Sequence, residues 1–106
     1  MTIKEWAEKI HENAVNHGFW ENEKSFAEIV ALCHSEISEA LEADRAGEPL
    51  FWIGKDVKPE GVATEMADCV IRILDWFGAK GIDPEKVIAE KHDYNTKRPY
   101  RHGKKY

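Results

Sequence analysis

Between Pro59 and Gly81 the chain places Val62, Met66, Val70, Ile73, Leu74 and Phe77 at the spacing of one face of an α-helix. The same stretch is apolar off that face too, at Ala67, Cys69, Ile71 and Trp76. A helix clad so fully needs neighbours on more than one side. A chain of 106 residues buries only part of its apolar surface by itself. The segment therefore predicts an all-α fold packed around this helix, with the remaining cover supplied by further copies of the chain, as a homodimer or homotetramer.

Three other helices follow from punctuation and period. Thr2 with Glu5 forms a capping-box pattern ahead of Ile3, Trp6, Ala7, Ile10 and Ala14, and Gly18 closes that helix. Ser25 with Glu28 repeats the pattern ahead of Phe26, Ile29, Val30, Cys33, Ile37, Ala40 and Leu41; this helix reaches about Arg45 and stops at Gly47 and Pro49. Pro59 suits the first turn of the apolar helix just described. Asp83 and Pro84 cap a fourth helix that ends near Asn95. No strand alternation stands out, and residues 96–106 read as an irregular basic tail. The expectation is one four-helix domain spanning residues 1–106.

Composition narrows the class. With 42% hydrophobic and 33% charged residues and no long apolar run, the sequence reads as a globular domain without a membrane span or signal peptide. Cys33 and Cys69 sit at apolar-patterned positions without CxxC spacing, which favours thiols in a reducing cytoplasm over a disulfide or a zinc site. The charge is polarised: residues 91–106 carry +5 and the first 90 carry −10. An acidic body with a cationic end suits a site that holds both metal cations and a polyanion. The acidic body and the lack of any nucleic-acid-binding motif argue against a nucleic-acid partner.

Two pairs of acids lie at i, i+3 on the second and third helices: Glu36 with Glu39, and Glu65 with Asp68. Each pair projects from adjacent points of one helix surface. If the two helices pack antiparallel, four carboxylates meet across the groove and offer the hard oxygen donors that Mg²⁺ or Mn²⁺ prefers. Spacing alone leaves a second reading open, in which the acids are a solvated face and Asp68 pairs with Arg72 one turn on. Glu65 and Asp68 point away from the main apolar stripe, which fits either a surface or a second interface closing over a site. His34, beside the acids, suits helix packing better than metal ligation, because imidazole is a softer donor than Mg²⁺ favours.

The run Glu36-Ile37-Ser38-Glu39, followed after positions 40–64 by Glu65-Met66-Ala67-Asp68, resembles the ExxE to ExxD pattern of the MazG-like all-α nucleoside triphosphate pyrophosphohydrolases. His17-Gly18-Phe19-Trp20, the stretch from Ala63 to Ile73, and Lys91 to Arg98 extend the similarity along most of the chain. The resemblance implies a four-helix fold completed by oligomerisation. It also implies that Glu36, Glu39, Glu65 and Asp68 bind Mg²⁺, and that a (deoxy)nucleoside triphosphate is cleaved to monophosphate and pyrophosphate. One departure stands out: relatives often carry a further Glu directly before the first motif Glu, where this chain has Ser35. Glu36 is then the first choice for orienting the attacking water.

Lys91, Asn95 and Arg98 follow a KxxxNxxR spacing that keeps them near one surface of a helix end, and the resemblance assigns them to the triphosphate. Without it, they are equally a solvated end whose cations complement the helix dipole. Tyr100-Arg101-His102-Gly103-Lys104 resembles the tail of the same family, placing Arg101, His102 and Lys104 over the phosphates. His11 and Trp20 resemble base-flanking aromatics of dCTP pyrophosphatases, while Trp6, Trp52 and Trp76 read as core or interface. Two alternatives accompany the nucleotide reading: a phosphoribosyl-ATP pyrophosphohydrolase, and a non-catalytic helical interaction module.

Overall fold

The computed structural model describes all residues from Met1 to Tyr106. Four helices dominate: α1 (Ile3–Asn16), α2 (Phe26–Arg45), α3 (Val62–Lys80) and α4 (Pro84–Thr96). Both capping boxes are formed, with the Thr2 and Ser25 hydroxyls accepting from the backbone N–H groups of Glu5 and Glu28 and those glutamates reaching back to the cap residues. Asp83 caps α4, with Pro84 in its first turn.

The α2–α3 connection departs from expectation. It holds a two-stranded antiparallel hairpin, β1 (Trp52–Ile53) and β2 (Pro59–Glu60), joined through a 3₁₀ turn at Lys55–Val57. Pro59 therefore belongs to β2 rather than to the first turn of α3, and the fold is mostly helical rather than purely so. Gly61 separates hairpin from helix at φ 108°, and a Cβ there would lie 2.6 Å from the carbonyl oxygens of both Pro49 and Leu50. Only glycine fits both the dihedral and the space. The tail is also less irregular than its sequence suggests: α4 runs through Thr96, and Tyr100–Gly103 forms a 3₁₀ turn.

Helix α3 is the hub, packing on α2 along one side and on α1 along another, while α4 leans on α1. Small residues let these backbones approach. Ala7, Ala40, Ala43 and Cys69 are buried. At Gly78 an added Cβ would stand 2.5 Å from the His11 Cβ and 2.7 Å from the Ala7 carbonyl oxygen.

Part of the apolar stripe of α3 faces outward: Met66, Val70 and Ile73 are 49%, 52% and 41% exposed, while Val62, Leu74 and Phe77 are half-buried. On α2, Phe26, Val30, Ile37 and Leu41 are likewise exposed. No helix is long and apolar enough to cross a membrane.

Candidate metal centre and the cavity beside it

Antiparallel packing of α2 on α3 brings the acids together. Carboxylate oxygens of Glu36, Glu65 and Asp68 lie within 4.8 Å of one another. Glu36 is the most deeply set, with 8% of its surface exposed. Its Oε1 accepts a hydrogen bond from Arg72 Nε at 2.8 Å. Arg72 therefore pairs across the helix interface with Glu36, and not within its own helix with Asp68. Glu39 is exposed on the next turn of α2 and stands beside Glu65.

Crowding of like charges away from water has the expected electrostatic result. The Glu65 carboxyl is raised above its ordinary range first by burial, then by a hydrogen bond to Glu39 and the charges of Glu39, Asp68 and Glu36. Burial also raises Asp68, with the Glu36 charge adding to it, while Arg72 and Lys58 pull it partly back. Lys58, in the hairpin, was not singled out from sequence; its charge is felt at Asp68 because the hairpin packs against α3, though it makes no ion pair there. Ser35 turns its hydroxyl to the Leu32 carbonyl at 2.7 Å and is exposed. His34 is exposed as well.

Beside the acids opens a cavity of about 440 Å³ between α1, α2 and α3. Glu36, Asp68 and Arg72 line one part of it; Trp6, Phe19 and Ile71 supply apolar wall; Lys9, Asn13 and Lys24 bring polar heads. Trp6, expected in core or interface, lines this cavity and is half exposed.

His11 and Trp20, the expected base contacts, are both held by Asp75, which lines the same cavity. Asp75 takes both: His11 Nδ1 lies 2.8 Å from its Oδ1, and Trp20 Nε1 donates to Oδ1 and Oδ2 at 3.0 and 3.1 Å. Their rings meet edge to face at 5.2 Å. This clamp fixes α1 and the chain after it to α3, and so sets the position of the Trp6 and Phe19 walls. Asp75 went unnoticed in sequence, although Glu65, Asp68, Arg72 and Asp75 recur at helical spacing along one side of α3. Trp76 packs between Phe26 and Phe77, and Trp52 Nε1 donates to Glu48.

The residues assigned to phosphate gather in another place. Lys91 Nζ and the Arg98 guanidinium flank the Tyr94 ring at 5.0 and 5.6 Å. The buried Asn95 Oδ1 has no hydrogen-bond partner. Arg101 and His102 occupy positive φ (55° and 53°) in the 3₁₀ turn, and Lys104 follows it, all exposed. No residue of α4 or the tail lines the cavity beside the acids.

Comparison with protein-family models, curated proteins and solved structures returned no match.

Proposed function

We propose that the chain is a Mg²⁺-dependent nucleoside triphosphate pyrophosphohydrolase. The observation that carries this reading is the meeting of Glu36, Glu65 and Asp68 from two helices within 4.8 Å, opening onto a cavity large enough for a nucleotide's base and sugar. The resemblance of the two acid motifs and of the Lys91–Arg98 segment to MazG-like pyrophosphohydrolases supports it. The donor set fits the ion: carboxylate oxygens alone, with no sulfur or imidazole among them, suit Mg²⁺ or Mn²⁺. Mg²⁺ bound there supplies Lewis acidity toward phosphate oxygens and acidifies a coordinated water.

The protein's own groups divide the remaining work. Glu36, Glu39, Glu65 and Asp68 hold the ion. Glu36, fixed by Arg72, orients the water for attack at the α phosphorus. Lys91, Asn95 and Arg98, with Arg101, His102 and Lys104, grip the triphosphate. Because the cavity of one protomer contains none of these six, we assign them to a neighbouring copy in a homodimer or homotetramer. The outward apolar stripes of α2 and α3 provide the surface on which such an assembly forms. The thiols of Cys33 and Cys69 suit a cytoplasmic setting.

The test is hydrolysis of a nucleotide panel with Mg²⁺ in ¹⁸O-labelled water. Label in the monophosphate is expected. Label in pyrophosphate would move the attack to the β phosphorus. The absence of metal-dependent hydrolysis across the panel, or full activity in Asp68→Asn, would refute the assignment.

A further inference from the structure

The two strands of the hairpin between α2 and α3 are protected unequally. Helix α3 packs against β2, and Pro59 leaves the outer edge of that strand without a donor. β1 packs chiefly on β2. Gly54 N–H donates to the Lys58 carbonyl at 2.7 Å, and Trp52 stands opposite Glu60. Bonding alternates along an antiparallel pair, so Ile53, between these two positions, turns its N–H and C=O away from β2. Its side chain is exposed, as are those of Leu50, Phe51 and Val57 around it. Native folds blunt a free edge with proline or charge, and the run Phe51-Trp52-Ile53-Gly54 contains neither. A two-stranded hairpin is also marginal without further strands beside it or cover over it.

The chain as a whole exposes 8305 Å², where a folded monomer of 12.2 kDa exposes about 6,100 Å². The surplus, about 2,200 Å², is more than twice the roughly 800 Å² that each partner gives to a standard interface. That leaves surface for a contact besides the one proposed for the outward stripes of α2 and α3. We infer that β1 pairs with β1 of a second copy across a twofold axis, joining two stripe-linked dimers into a tetramer. The Ile53 N–H of each copy donates to the Ile53 C=O of the other, and the two hairpins become one continuous antiparallel sheet. The same strand is a fitting occupant because antiparallel pairing about a twofold is self-complementary, each outward donor meeting the same residue's acceptor. The flanking charges are mixed, Lys55 and Lys58 with Asp56 and Glu60, so identical copies are not driven apart. The contact is small by itself. Two dimers make it twice at once, whereas two single chains make it once, so it holds dimers together at concentrations where single chains part.

The experiment is sedimentation velocity of the full chain at micromolar concentration, where the parent is expected to run as a tetramer. Ile53→Pro removes the outward N–H without taking a bond from the hairpin, and Ile53→Lys places a charge at the axis. Each should halve the mass to that of a dimer, while Ile53→Val should stay tetrameric. Val70→Glu reads the stripe contact separately and should give monomers, because a single β1 contact remains between any two chains. Circular dichroism melting confirms that the variants fold. Hydrogen exchange reads the pairing itself: the Ile53 amide should exchange slowly in the parent and fast in Ile53→Lys and Val70→Glu. A dimeric or monomeric parent, a tetramer that survives in both Ile53→Pro and Ile53→Lys, or an Ile53 amide as fast in the parent as in the variants would overturn the inference. A dimeric parent whose Ile53 amide becomes slow only on adding an extended peptide would give the edge to another protein, and overturns it too. None of these variants touches the acid cluster, so the presence or absence of hydrolysis bears on the proposed activity alone.

Discussion

Replacing Arg72 with methionine removes the one cation that touches the most buried acid. The side chains of Glu36 and Arg72 are 11% and 34% exposed, so the pair is sheltered on the carboxylate side and partly wet on the guanidinium side. Removing one partner of a fully buried pair costs about 3–5 kcal/mol, most of it the penalty of a stranded charge. Water that reaches the vacated Arg72 position resolvates part of that charge, which lowers the expected cost to about 2 kcal/mol. For 106 residues the unfolding entropy near the midpoint is about 0.2 kcal/mol/K, so Tm should fall by roughly 9 °C. Differential scanning calorimetry of the metal-free protein at pH 7 measures this. The double variant Glu36→Gln, Arg72→Met should regain at least half the loss, because no charge is left stranded. Mg²⁺ should stabilise Arg72→Met more than the parent, since the ion supplies the charge that the guanidinium no longer does. A fall of less than about 3 °C, or a double variant as unstable as the single one, would show that the Arg72–Glu36 contact contributes little.

Three further outcomes are expected. Glu65 and Asp68 titrate above their ordinary range in the fold, so the folded state holds protons that the unfolded chain releases; metal-free stability should decline as pH rises from the ordinary carboxylate range through the raised values, and saturating Mg²⁺ should flatten or reverse that slope in pH-resolved melting curves. Gly78→Ala forces a methyl against His11 and the Ala7 carbonyl, and should destabilise by about 1–3 kcal/mol in urea unfolding, while the same exchange at Gly47, which has open space but positive φ, should cost less. Light scattering at micromolar concentration should show a dimer or larger species, and Val70→Glu on the outward stripe of α3 should shift it to monomer; a monomeric parent would remove the assembly from the proposal.

Local chemistry was the most legible part of the sequence. Thr2–Glu5 and Ser25–Glu28 announce their helices because a capping box is satisfied within four residues, and no distant contact can rewrite it. The i, i+3 acids were legible for the same reason. The hairpin was not: two-residue strands are too short to show a period, and Pro59 serves the start of a strand as readily as the start of a helix. The period of α3 marks an apolar face but not what covers it: Met66, Val70 and Ile73 of that face are exposed in one protomer, while Val62, Leu74 and Phe77 are half-buried. The Arg72–Glu36 pair and the Asp75 clamp depend on partners 36, 55 and 64 positions away, brought near only by the packing of α1 and α2 on α3. Trp6, Lys9 and Asn13 gain meaning only once that packing defines a cavity.

The central place of α3 also divides the molecule mechanically. The acids lie entirely within the α2–hairpin–α3 unit, whose two helices follow one another in the chain. The apolar wall opposite is carried by α1 and its following turn, docked on α3 through Gly78 and the Asp75 clamp. Contacts this remote in sequence and this sparing in buried side chains open at lower free energy than the unit they rest on. Opening of α1 from α3 would then widen the cavity while leaving the carboxylates in register, and in hydrogen exchange the amides of α1 should lose protection before those of α2 and α3.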